Sequence, residues 1–88
     1  MNQTPDFYTF VIYYNNGERQ IYKLPRQGDD NTLAKRMDEF RSRDEMVLHT
    51  SDNKLILIPF QNVMRIEVMP FPDVYASTML HGATLLED

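Results

Sequence analysis

Large apolar residues fill both alternating faces of Phe7 to Tyr14 (FYTFVIYY): Tyr8, Phe10 and Ile12 on one, Phe7, Val11 and Tyr13 on the other. β-Branched and aromatic side chains suit a pleated strand, and a strand apolar on both faces is expected to be central or covered twice. Asn15-Asn16-Gly17-Glu18 follows. Asn-Gly favours a two-residue type I′ hairpin, because both residues accept positive φ. A loop at Asn16-Gly17 sets Ile12 opposite Ile21 and Val11 opposite Tyr22 on the return strand, Arg19 to Leu24. Apolar pairs match in that register.

Pro25 to Asp30 reads as a polar loop, and Asp29, Asp30 and Asn31 as helix N-caps. The spacing of Leu33, Met37 and Phe40, with Ala34 beside them, predicts a helix over 32–43 with one core-facing stripe. Lys35–Glu39 and Glu39–Arg43 are the expected ion pairs on the wet side, and Arg41 and Arg43 complement the helix C-terminus.

Three further strands are predicted in quick succession. Met46 to Thr50 is the first, and Ser51-Asp52-Asn53-Lys54 forms a tight turn. Lys54 to Ile58 (KLILI) is apolar on both faces and is therefore expected inside, with Leu48 set against Leu57 and His49 against Ile56. Pro59 cannot donate to a ladder and should end that strand. After a short corner at Phe60-Gln61-Asn62, Val63 to Met69 alternates, with Met64, Ile66 and Val68 inward and Arg65, Glu67 and Met69 outward.

Pro70-Phe71-Pro72 breaks the last strand. Beyond it, Asp73 as N-cap and Gly82 as terminator predict a short helix over 74–81, and Ala83 to Leu86 reads as a short edge strand. The tail is too apolar for a typical disordered terminus and is expected to pack on the body or on a partner. The fold class is thus α+β: a strongly bent, antiparallel, five-stranded sheet in the order β-β-α-β-β-β, either open or closed into a small barrel, crossed by one helix. Residues 1–70 form one domain and 71–88 a C-terminal extension. The tight corner favours curvature of the kind found in small SH3- or Sm-like barrels, a likeness of architecture that carries no function.

Composition narrows the function classes. A chain of 88 residues permits a thin core, so oligomerisation is a reasonable second source of stability. The absence of cysteine excludes disulfides, Cys-based zinc sites and thiol catalysis. A net charge of −4 argues against a phosphate-binding footprint. No signal-like leader or membrane-length apolar run occurs, which leaves a cytoplasmic setting by default and no membrane partner.

Chemistry-bearing residues are sparse. His49 reads as a half-exposed strand histidine and His81 as a dipole partner at a helix end, with no spacing that suggests a metal site. Asp73, Ser77 and His81 contain the residue types of a hydrolase triad, but on a helix the serine would lie between the other two, about 6 Å of rise from each. No catalytic, cofactor-binding or metal residues are assigned, and the chain is not expected to be an enzyme.

Two binding readings remain. Tyr, Phe, Met and Arg enrich interface cores, and one helix cannot cover both faces of a five-stranded sheet. The expectation is therefore a protein–protein interaction or assembly domain that self-associates. Its contact surface is expected around Met69, Phe71, Val74, Tyr75, Met79 and Leu80. The alternative is a single-stranded nucleic-acid binder using Arg19, Tyr22, Lys23, Arg26 and Arg65, by phosphate contact and stacking. Gathering of those basic residues on one face favours nucleic acid, and scatter favours the adaptor.

Overall fold

The computed structural model describes residues 6–28, 30–72 and 79–87. The elements are β1 (Phe7–Tyr14), β2 (Arg19–Pro25), α1 (Asp30–Arg43), β3 (Glu45–His49), β4 (Leu55–Pro59), a one-turn 3₁₀ helix at Phe60–Asn62, and β5 (Val63–Met69). This is the α+β arrangement expected, with five antiparallel strands and one helix. The strands divide into a three-stranded sheet, β2-β1-β5, and a two-stranded sheet, β3-β4.

β1 is central because it has a partner on each side. Its Tyr8, Phe10 and Ile12 enter a buried cluster with Leu33 of α1, Met46 of β3 and Ile58 of β4. Met37 and Phe40 pack against the same cluster, so the predicted helical stripe is the one that meets the core. Leu48, Ile56, Ile66 and Val68 close the perimeter. Both sheets and the helix thus share a single apolar centre. Val11, on the opposite face of β1, is buried as well.

Both hairpin registers differ from expectation by one residue. Val11 stands opposite Ile21 and Phe10 opposite Tyr22, while Ile12 meets Gln20. Leu48 pairs with Ile56 and His49 with Leu55. The cause is common to the two. Each loop has three residues, not two, closed by a turn and a bulge. Tyr14 N–H donates to Glu18 O at 2.8 Å and Gly17 N–H to Tyr14 O at 3.0 Å. In the second loop, Thr50 N–H donates to Lys54 O at 2.9 Å and Asn53 N–H to Thr50 O at 3.0 Å. Gly17 (φ 89°) and Asn53 (φ 66°) take the left-handed position that such a loop requires.

Other differences are local. α1 begins at Asp30, so Asp30 and Asn31 belong to its first turn and do not precede it; Asp29 lies outside the described residues. The ion pairs on α1 are Arg36–Glu39 (3.2 Å) and Asp38–Arg41 (3.5 Å), spaced i,i+3 in place of the expected i,i+4. A register shift at Tyr13/Tyr14 puts Val63 opposite Tyr14. Met64 is consequently exposed, while Val63 packs against the core. Lys54–Ile58 was expected inside; Leu55 and Leu57 instead face solvent, since among the described residues β4 has a neighbouring strand on one side only.

The described part of the tail has no regular structure. Residues 79–81 are not helical and residues 83–87 form no strand. The remainder of the expected tail helix lies outside the described residues.

Candidate interaction surface

Strand alternation sorts the outer face of the larger sheet. Phe7, Thr9, Val11 and Tyr13 of β1 share it with Arg19, Ile21 and Lys23 of β2 and with Arg65, Glu67 and Met69 of β5. Three of the five residues proposed for nucleic acid, Arg19, Lys23 and Arg65, therefore do gather on one face. Tyr22 does not join them. It pairs with Phe10 and packs against the core on the inner side. Arg26 lies beyond β2, and its Nε donates to Gly28 O at 2.8 Å.

The aromatic rings of this face are already covered by its own cations. The Lys23 ammonium sits 4.0 Å from the Phe7 ring centre, and the Arg65 guanidinium 4.5 Å from that of Tyr13. Arg65 also pairs with Glu67 at 3.2 Å, and the Tyr13 hydroxyl donates to the same carboxylate at 3.3 Å. A base would have to displace these cations in order to stack, and the Glu67 carboxylate repels phosphate.

Of the residues expected to form a protein interface, Met69 ends β5 on this outer face and Phe71 follows it, both exposed. The Phe71 ring meets His81 edge-on, with centres 6.0 Å apart. Met79 is half-buried, whereas Leu80 is 96% exposed. Val74 and Tyr75 lie outside the described residues, as do Asp73 and Ser77 of the triad pattern.

Sequence reasoning missed a second exposed surface. The outer face of the smaller sheet carries Leu55 and Leu57 of β4, with Val47 and His49 opposite them on β3. Its signal was Pro59. That residue ends the strand, as expected, and in the last position of the ladder it still pairs with Glu45. Pro25 likewise pairs with Phe7 at the end of β2. Proline within a ladder marks an edge strand, and both strands are edges.

Between β4 and the tip of the β1–β2 hairpin runs a cleft of about 420 Å³. Tyr14 and Gln20 line one side, and Ile56, Leu57, Ile58 and Pro59 the other. The Tyr14 and Tyr22 hydroxyls both donate to Gln20 Oε1, at 2.5 and 3.0 Å. Burial, and secondarily the neighbouring Tyr22, push the Tyr14 phenol above its ordinary range. At the second hairpin, the Thr50 hydroxyl donates to Asp52 at 2.5 Å and Lys54 Nζ lies 3.0 Å from it. Those two hydrogen bonds, the hydroxyl's first, hold the Asp52 carboxyl below its usual range. His49 Nε2 lies 2.9 Å from Asn53 Oδ1, which ties that histidine to the turn.

Among the described residues no group of three His, Asp or Glu side chains is placed to hold a metal ion. No helix among them is long and apolar enough to cross a membrane. No protein-family model, curated protein or solved structure matches this chain.

Proposed function

We propose that the chain is a small, non-enzymatic protein–protein interaction or assembly domain that associates with itself. The observation that supports this reading is the amount of large apolar side chain left in solvent. Phe7, Ile21 and Met69 stand out from one sheet, Leu55 and Leu57 from the other, and Phe71, Leu80, Leu85 and Leu86 along the tail. Exposed apolar side chains mark an interface where they adjoin, as Leu55 and Leu57 do at i and i+2 on one face of β4. α1 adds its own apolar stripe to the shared core and leaves both outer faces bare.

Light scattering across a concentration series tests the reading. The expected result is a mass at or above that of a dimer; a monomer at every concentration overturns self-association. The nucleic-acid alternative retains the common face of Arg19, Lys23 and Arg65 in its favour. Against it stand the covered rings of Phe7 and Tyr13 and the inward position of Tyr22. A labelled single-stranded oligonucleotide at low salt is expected to leave the protein unbound. Tight, salt-sensitive binding would reverse the order of the two readings.

A further inference from the structure

We propose that the Ala83–Glu87 segment of a second copy adds to the free edge of β4 as a third strand; the proposal rests on the self-association reading and names its contact. The phase of the β3–β4 ladder supplies the first argument. Thr50 N–H bonds to Lys54 O at 2.9 Å and Phe60 N–H to Asp44 O at 2.8 Å. Hydrogen-bonded pairs alternate in an antiparallel ladder, so Leu48/Ile56 and Met46/Ile58 exchange the bonds between them. The main-chain groups of Leu55 and Leu57 therefore point away from β3, to a side where no strand follows among the described residues.

Between its ends this edge is undefended. Edge strands are ordinarily protected by charge, proline or a covering element. β2 follows the rule, with Arg19, Lys23 and Pro25 alternating about Ile21. β4 has Leu-Ile-Leu-Ile, with Lys54 before it and Pro59 at its end. The cleft beside it, about 420 Å³, is open to an extended segment.

The donor is a segment that reads as a strand and has no sheet. Ala83–Glu87 is irregular, with Leu85 and Leu86 at 67% and 88% exposure. An antiparallel register placing Leu85 opposite Leu57 puts Leu86 opposite Ile56, facing the cleft beside Tyr14 and Gln20. The acidic Glu87 then falls opposite Leu55, beside Lys54. Ala83 meets Pro59, the one position on the edge with no N–H to satisfy.

A second copy, and not the chain's own tail, fits the placement. His81 packs on Phe71, just past the Met69 end of β5. The cleft lies at the other end, where Val63 pairs with Tyr14. Seven residues of strand separate the two ends by roughly 20 Å, and Ala83 is only two residues from His81.

Sedimentation equilibrium on the full chain tests the arrangement, using Leu57→Lys, Leu86→Asp and an equimolar mixture of the two. Both residues are exposed, so the monomer fold should survive, as circular dichroism will verify. The wild type is expected to be a reversible dimer. Each variant alone should dissociate at least about tenfold more readily, a loss of about 1.4 kcal/mol. The mixture should regain a heterodimer, because one intact tail then meets one intact edge. Sensitivity to Leu57→Lys alone would mean that two β4 edges pair with each other, and sensitivity to Leu86→Asp alone that two tails do. Either result overturns the proposal, as does a mixture that stays monomeric. A dimer indifferent to both variants overturns this contact and leaves self-association standing. A wild-type monomer overturns both.

Discussion

The two hairpins of this protein close in the same way and end in opposite circumstances. β1–β2 and β3–β4 share a three-residue loop, the same pair of closing hydrogen bonds and a left-handed third residue. β1 and β4 are also alike in composition, apolar on both faces. Yet Val11, on the outer face of β1, is 5% exposed and Leu57, on the outer face of β4, is 53% exposed. The difference lies in neighbours. β1 is flanked by β2 and β5, whereas among the described residues β4 has β3 alone beside it. A two-faced apolar strand therefore marks either the centre of a sheet or an edge that awaits a partner.

The largest expected effect breaks this comparison at its extremes. Ile12→Ala should cost about 2–5 kcal/mol of unfolding free energy, through lost transfer energy and the cavity left behind. Leu57→Ala, on an exposed edge, should cost about 0.5 kcal/mol or less in the monomer. Urea denaturation of dilute protein measures both. Equal costs would mean that β4 is buried in the working state, as the strand-addition proposal requires at higher concentration.

A smaller effect separates the two turns. Gly17→Ala places a Cβ at φ 89°, where it meets no atom within 4 Å. The expected loss of about 1–2 kcal/mol is thus conformational and not steric crowding. Asn53→Gly should stay within about 0.5 kcal/mol of the wild type, because the left-handed geometry is already tolerated there and the His49 contact is exposed. A Gly17→Ala protein as stable as the wild type would show that the loop relaxes to another turn.

The smallest effects are expected at opposite ends of the pH scale. Tyr14 holds its proton more tightly when folded. Its contribution is complete below the ordinary phenol value of roughly 10 and is lost as pH rises through the raised folded value. Asp52 is the reverse case. Its carboxylate is favoured in the fold, so its contribution is present above the ordinary carboxylate range and is lost as pH falls through the lowered value. Melting temperature against pH should show Tyr14→Phe flattening the alkaline limb and Asp52→Asn the acid limb. Identical limbs in variant and wild type would place the titrating groups elsewhere.

Much of the element order was legible from local pattern. Alternation over Phe7–Tyr14, the i, i+4, i+7 spacing of Leu33, Met37 and Phe40, and the corner after Pro59 each report a period or a break that needs no long-range contact. Register was less legible. Asn16-Gly17 and Asp52-Asn53 each suggest a two-residue loop, but the bulge adds a residue and shifts every pair by one. The candidate surface was legible only in part. Exposure of Met69, Phe71 and Leu80 followed from the proline break, whereas Leu55 and Leu57 read as core.

Over residues 7–69 the sequence by itself determined the order of strands, helix and turns, because that order follows from side-chain period and from residues that accept positive φ. Only the tertiary structure decided which apolar strand is inside. Burial depends on what lies alongside, and the ladder places β5 against β1 while leaving β4 with an open edge. Arg65 likewise joins Arg19 and Lys23 on one face, and covers Tyr13, only through the pairing of β1 with β5, more than forty residues apart in the chain, whereas the cover of Lys23 over Phe7 comes from the β1–β2 hairpin.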